Sequence, residues 1–437
     1  MERDEESPRS TRARTSGAHA SGGRLSGVQL IVLMCAAEGL AVLGFSALPA
    51  LQPILLVEWA LSNTEAGWLN GIYFAAYMAA VPVLVSLTDR VDPRRIYAVG
   101  AVISVLSSLG FAVLADGFWD AMLYRGLGGI GLAGTYMPGL KALTDHVDER
   151  LRSRAVAFYT ASLSIGFSLS FLFSGEIAAL LDWRWAFGLM GLGAAVALPM
   201  VMFLVPPSEP RHIAKPKTAL LDFRPVLRNR QAFAYVLAYS AHNWELFAFR
   251  SWIVTFFVFS QGLQDEGALG FGWSATALAA AIGILALPAS VLGNEAALRF
   301  GRRRTVIAVA SASAAIGLGF GFLAALPFIL VVAVAVVYSF TVSGDSSAVT
   351  AGAVETAAPG QRGATMAVHS FIGFAGAFAG PLIFGVVLDL AGGRESLLAW
   401  GLAFASSGLA IALSPLVLAT MGRRAARAEK STSARPS

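Results

Sequence analysis

Apolar runs of 18 or more residues with few charges recur along the chain from Gly27 to Thr420, separated by short polar segments. Each run is long enough to cross roughly 30 Å of hydrocarbon as a helix. No water is present in that layer to satisfy backbone groups, so helix is the conformation expected. The pattern predicts twelve spans, at about 27–57, 67–88, 96–115, 121–143, 155–180, 185–205, 231–260, 273–298, 305–325, 327–354, 363–390 and 396–420. An even number of crossings puts both ends of the chain on one side. The fold class expected is an all-α polytopic membrane protein with 12 transmembrane helices.

The polar segments between the runs carry a second pattern. Lysine and arginine in short loops set orientation, and the segments on the side that holds both termini contain 27 of the 32 such residues. The opposite loops contain 2, Arg184 and Arg394. Both termini are therefore expected in the cytoplasm, with the protein in the inner (cytoplasmic) membrane. Residues 1–26 mix Arg, Ser, Gly and acids and read as a disordered cytoplasmic tail, not a cleavable signal peptide. The remaining units expected are a first six-helix half at 27–205, a cytoplasmic linker at 206–230, a second half at 231–420 and a cytoplasmic tail at 421–437. An internal repeat supports the two halves: Arg94-Arg95 and Arg302-Arg303 lie 208 residues apart, as do Arg154 and Arg362. Duplicated halves are the arrangement of alternating-access carriers.

Composition narrows the function. With 56% apolar and 14% charged residues and a mean hydropathy of +0.66, the chain lies outside the range of soluble domains. The pI of 9.5 comes from basic residues scattered over short loops, which points to topology and away from nucleic acid. The single cysteine, Cys35, sits within the first apolar run, so neither an intrachain disulfide nor metal-ligand spacing exists. Gly126–Gly131 matches G-x-G-x-x-G by letter, but no strand precedes it and it lies inside an apolar run. No Walker-type G-x-x-x-x-G-K-[ST], H-E-x-x-H or G-x-S-x-G occurs. Neither an enzyme nor a cofactor is expected, and an ion gradient is the energy source that remains.

Ionisable residues inside the apolar runs are informative, because a charge at the bilayer centre costs about 2.5–3.5 kcal/mol even on insertion scales. They are Glu38 in span one, Arg125 and Lys141 in span four, His242, Glu245 and Arg250 in span seven, and Asp345 in span ten. Helical spacing places His242, Glu245, Phe249 and Trp252 on one stripe, and Arg250 about 140° away from Glu245. Two different sets of neighbours are implied. Lys141 lies close enough to a span end to snorkel, and Glu176 and His369 lie near span ends, where interfacial solvation accounts for them. Pro82, Pro138 and Pro288 interrupt spans and are candidate hinges.

Between spans two and three the chain reads Val85-Ser-Leu-Thr-Asp89-Arg90-Val-Asp92-Pro-Arg94-Arg95, and its second-half echo is Gly293-Asn-Glu-Ala-Ala297-Leu-Arg-Phe-Gly301-Arg302-Arg303. These segments resemble the signature of the major facilitator superfamily, a Gly, an Asp-Arg, a second Gly and a basic pair. The first copy keeps the acid and the arginines without the glycines. The second keeps glycines and arginines with Ala297 at the acidic position. Arg125-Gly-Leu-Gly-Gly129-Ile-Gly131 is similar to the family's arginine-containing fourth-helix motif, and the resemblance covers nearly everything from Gly27 to Thr420. It implies two pseudo-symmetric six-helix halves, a gating motif at Asp89, Arg90, Arg94, Arg95, Arg302 and Arg303, and a central cavity lined by spans one, four, seven and ten. Those spans hold the ionisable residues.

The expectation is a secondary active transporter of a small solute, working as a monomer in the lipid bilayer. Proton coupling is expected through Glu38, Glu245 or Asp345, with Arg125 and Arg250 offering planar forks to a carboxylate or similar oxyanion. Uptake of a small organic anion is favoured. The alternatives are proton-driven efflux of a drug-like or toxic compound and, outside transport, a membrane sensor.

Overall fold

A computed structural model describes residues 25–208, 224–264 and 272–433, with the side chains from 422 onward excluded. The first-half helices are α1 (Gly27–Ala41), α2 (Ala47–Glu58), α3 (Asn63–Leu87), α4 (Pro93–Leu114), α5 (Phe118–Thr144), α6 (Glu149–Leu180) and α7 (Trp183–Leu204). A short α8 (Arg224–Arg228) precedes α9 (Arg230–Gly262), α10 (Ala275–Leu285), α11 (Leu287–Phe300), α12 (Arg302–Phe320), α13 (Phe328–Gly344), α14 (Ser346–Glu355), α15 (Arg362–Leu390) and α16 (Leu397–Ser433). A 3₁₀ turn, Gly321–Ala325, extends α12. Taken together these make the twelve expected crossings: α1 with α2, α10 with α11 and α13 with α14 each form one broken span. Most of the tail at 1–26 and most of the linker at 206–230 lie outside the described residues, and α16 continues through the segment expected as the C-terminal tail.

Helix ends are fixed by short polar side chains. Ser26 and Ser62 form capping boxes with Gln29 and Glu65 at the starts of α1 and α3. Asp92, Asp182, Asn229 and Ser274 cap α4, α7, α9 and α10 through backbone N–H groups. Of the three hinge prolines, only Pro288 marks a break, in the first turn of α11; Pro82 and Pro138 lie within continuous helices. Span one opens between Ala41 and Ala47, with Pro49 in the first turn of α2, and span ten opens at Asp345 itself with no proline beside it.

Among the described residues, nine crossings are long and apolar enough to span a membrane by length and composition alone. The three that fall short are α1–α2, α5 and α9, and they hold Glu38, Arg125, His242, Glu245 and Arg250. The first is split into two short apolar helices, and the other two carry charges that are turned inward. Glu38, Arg125, His242 and Glu245 are each at most 5% exposed.

The two halves are joined unequally along the membrane normal. Near the ends of the helices away from the termini, one apolar cluster runs through both halves, from Leu51, Phe111 and Phe187 to Trp252, Phe256 and Trp400. Near the terminus-bearing ends the clusters separate: Met34, Tyr97 and Tyr159 belong to one, and Tyr235, Val306 and Val349 to another. The hydrogen bonds that join the halves among the described residues follow the same division. Asp389 accepts from Asn63 N, Asn63 Nδ2, Thr64 N and Thr64 Oγ1 at 3.1, 2.7, 2.7 and 2.6 Å. Gln52 donates to Thr255 Oγ1 at 3.2 Å, and Ser274 donates to Glu176 at 3.5 Å. The α3–α15 contact is close because Gly67 faces backbone: a Cβ there would lie 2.7 Å from the Pro381 carbonyl oxygen. The halves are thus joined at the far end, and their apolar cores part toward the termini.

Candidate functional site

The centre of the molecule is an aromatic layer. Phe45, in the break of span one, stacks on Phe167 of α6 at 3.9 Å, and Phe74 of α3 meets Phe247 of α9 at 4.2 Å across the halves. Around this layer the six sequence-predicted residues divide into three settings.

In the first half, Glu38 is fully buried. The Tyr159 hydroxyl donates to its Oε2 at 2.8 Å, and its Oε1 has no hydrogen-bond partner among the described residues. In the second half, Glu245 accepts from Ser313 Oγ at 2.9 Å and from the Tyr338 hydroxyl at 3.0 Å. Neither acid has a cationic partner among the described residues. A buried carboxyl in that position can change protonation state without breaking an ion pair.

One turn before Glu245, His242 places Nδ1 2.7 Å from Asp345 Oδ1, with both side chains at most 2% exposed. This contact is a close approach and not an aligned hydrogen bond, since neither ring nitrogen of His242 has a hydrogen-bond partner among the described residues. Its origin is the break of span ten, which turns Asp345 toward α9. The stripe expected on α9 is therefore shared among neighbours: His242 meets α13–α14, Glu245 meets α12 and α13, Phe249 packs on Tyr338, and Trp252 donates to Pro381 O of α15 at 3.0 Å.

The two arginines lie apart. Arg125 donates to Leu69 O and Phe45 O, each at 3.3 Å, and sits 4.6 Å from the Tyr73 ring centroid. Arg250, only partly buried, lies 5.9 Å from Phe167 of the other half and 6.0 Å from Phe247, with no hydrogen bond or ion pair among the described residues. Among the six residues only His242 and Asp345 lie within ion-pair distance of each other.

The basic motif residues occupy the terminus-bearing end. Asp92, not Asp89, is the structured acid: it accepts from Arg94 Nε and Nη2 at 2.9 and 2.8 Å. Partial burial opposes its ionisation, but the Arg94 contacts outweigh this and hold its carboxyl below the usual carboxylate range. Arg94 also donates to Val205 O at the end of α7, as Arg303 does to Leu418 O in α16. Arg302 bridges to Glu355 at 2.9 Å. Asp89, Arg90 and Arg95 are exposed, with no side-chain partner among the described residues.

Sequence reasoning missed Tyr159, Ser313 and Tyr338, because a tyrosine or serine in an apolar run gives no sign of which acid it will meet. His369 is corrected. It is 2% exposed, not interfacial, and stacks on Tyr239 at 3.9 Å while Tyr239 stacks on His242 at 5.9 Å.

Two six-helix halves with a buried acid in each are the build of a membrane transporter and not of an enzyme. The family model described as the Major Facilitator Superfamily matches residues 34–290, more than half of the chain, and the chain belongs to that superfamily. Among relatives, a probable sphingolipid transporter, spinster homolog 2, of Arabidopsis thaliana is 26% identical over 217 residues, covering 45% of this chain and 44% of its own. The sphingosine-1-phosphate transporter of Xenopus tropicalis is 24% identical over 210 residues, covering 47% and 41%. The matched stretch thus spans less than half the length of either relative. Of solved structures, a bacterial homolog of the human lysosomal transporter Spinster, inward-facing and unoccupied, gives a TM-score of 0.68 at 16% identity over 90% of this chain and 95% of that one. A point mutant of the nucleoside transporter NupG gives 0.73 at 15% identity, covering 90% and 99%. These structural likenesses carry the fold.

Proposed function

We propose that the chain is a proton-coupled carrier for uptake of an amphipathic organic anion, working by alternating access in the inner membrane with both termini cytoplasmic. The observation that carries this reading is a buried carboxyl in each half, Glu38 and Glu245, held by tyrosine hydroxyls and free of cations among the described residues. Such groups load a proton when dehydrated and release it when the central cavity floods. Arg250 supplies the fixed positive charge for the cargo, since it has no ion pair among the described residues and faces aromatic rings from both halves. His242 and Asp345 form a neighbouring polar pair that tunes Glu245. The names of the relatives favour a cargo like sphingosine-1-phosphate, in which a phosphate head joins a long apolar tail. On this reading the end at which the halves part is cytoplasmic, and Asp89, Arg90 and the basic pairs close it in the opposite state.

The test uses proteoliposomes with an imposed pH gradient and sphingosine-1-phosphate as the first cargo. The parent protein should accumulate it uphill. Glu245→Gln should abolish uphill accumulation while leaving exchange measurable, because the amide mimics the protonated acid, and Glu38→Gln serves as the second probe. Full gradient-driven accumulation in both variants would remove both acids from the coupling path. Gradient-driven extrusion in place of accumulation would identify the efflux mode.

A further inference from the structure

Arg125 poses a problem that cargo transport does not solve. Its guanidinium is 5% exposed, yet two of its five N–H groups end on backbone carbonyls at the long distance of 3.3 Å, and no carboxylate pairs with it among the described residues. The acids on neighbouring helices are engaged or distant: Glu38 takes the Tyr159 hydroxyl, Glu58 accepts from Trp183 Nε1 at 2.6 Å, and Asp120 is exposed. A buried cation without a counter-charge is costly to keep. The Tyr73 ring, 4.6 Å away, offsets part of that cost.

Arg125 borders a cavity of about 30 Å³. Its lining includes Phe45, Tyr73, Ser104, Ser107 and Ser108, of which Ser107 already donates its hydroxyl to Tyr124 O at 2.6 Å, leaving Ser104 and Ser108 as the hydroxyl donors. That volume admits one or two water-sized groups, which suits a monatomic anion and excludes a phosphate ester or carboxylate bearing any tail. Every lining residue lies between Ala41 and Ala194, so the cavity belongs wholly to the first half. It is not remade when the halves rock about each other, and a ligand there is resident and not cargo. The cavity also touches the break of span one: Ala41, Gly44 and Phe45 line it, and Arg125 holds the Phe45 carbonyl. Glu38 lies one turn before that break.

We infer that this cavity is a halide site, in which a chloride-sized anion is held by the Arg125 guanidinium and nearby serine hydroxyls and fixes the geometry of the broken first span. Halide occupancy then couples to transport through the break, without any halide crossing the membrane. The site does not depend on the cargo or coupling reading, because its direct readout is binding.

Purified full-length protein in lipid nanodiscs is titrated with sodium chloride or sodium bromide against sodium gluconate at constant ionic strength, and thermal unfolding is followed. A saturable rise in unfolding temperature with chloride and bromide, absent in gluconate, is expected, as for any ligand that binds only the folded state. Arg125→Gln should abolish the rise and Arg250→Gln should keep it. In proteoliposomes, flux should be roughly fivefold slower in gluconate than in chloride. Equal unfolding curves for the parent in all three salts would overturn the site and leave a hydrated cavity. So would a halide response that survives in folded Arg125→Gln. Since the parent titration needs neither a variant nor transport, loss of folding or of cargo flux cannot mask the result.

Discussion

Glu38 and Glu245 sit 207 residues apart at matching places in the two halves, but their partners do not match. Tyr159 comes to Glu38 from span five, whereas Ser313 and Tyr338 come to Glu245 from spans nine and ten. Hydrogen bonds to a charged group are worth about 1.5–3 kcal/mol, so loss of one is at least about a tenfold effect in an equilibrium. Tyr338→Phe should therefore slow gradient-driven flux by at least about tenfold. If the hydroxyl acts through Glu245, adding Tyr338→Phe to Glu245→Gln should cost little more, which a double-mutant cycle measures. Additive losses would separate the tyrosine from the acid. The acids were legible in the sequence because an ionisable group in an apolar run is expensive. Their partners were not, since hydroxyls in such runs are cheap and common and only the fold decides which of them reaches a carboxyl. The same holds for His369, whose position near a span end gave no hint of the Tyr239 ring that covers it.

Between elements, the decisive contact is the one from Asp389, near the end of α15, to the start of α3. Four hydrogen bonds from Asn63 and Thr64 converge on this carboxylate, two of them from the first backbone N–H groups of the helix. A negative group at a helix N-terminus is stabilised by the unpaired N–H groups and the helix dipole. Because helix and carboxylate belong to different halves, the contact holds the far end shut. Asp389→Asn should shift the population toward the state open at that end. A cysteine at Phe378, which packs on Gly71 of α3, reports this in a Cys35→Ala background. Its labelling from outside should accelerate several-fold in Asp389→Asn, and an unchanged rate would show that apolar packing alone keeps the end closed. Element boundaries were largely readable from periodicity and caps, with Pro288 announcing one break. The break at Val42–Ser46 lies just before Pro49, whose missing N–H leaves Phe45 O to Arg125, whereas the break at Asp345 carries no proline and lies where His242 meets the chain.

For the whole molecule, the duplication and the even number of crossings could be read from two basic pairs and a charge bias of 27 to 2. The orientation that follows is checked by cysteines in a Cys35→Ala background: Gln264→Cys should label from outside in sealed cells and Ser208→Cys should not. The reverse result would invert the assignment. The sequence held no sign that the halves are joined at one end and part at the other, because both states use the same helices and differ only in which faces meet.

Two long crossings, α5 and α9, are missing from the apolar spans, and they carry Arg125, His242, Glu245 and Arg250 of the candidate site. That has a consequence for how the protein is made. A translocon sorts each segment by its partition into lipid, and α5 and α9 each present buried charge to that decision before any partner exists to hide it. α5 can shelter against α3 and α4, which emerge before it and pack beside it in the finished fold. α9 is harder to place, because the residues that receive Glu245 and His242, namely Ser313, Tyr338 and Asp345, are synthesised 68 to 103 residues later. The second half must therefore hold its first helix provisionally during synthesis, and Glu245, proposed to carry a proton, also ties that helix to the ones made after it.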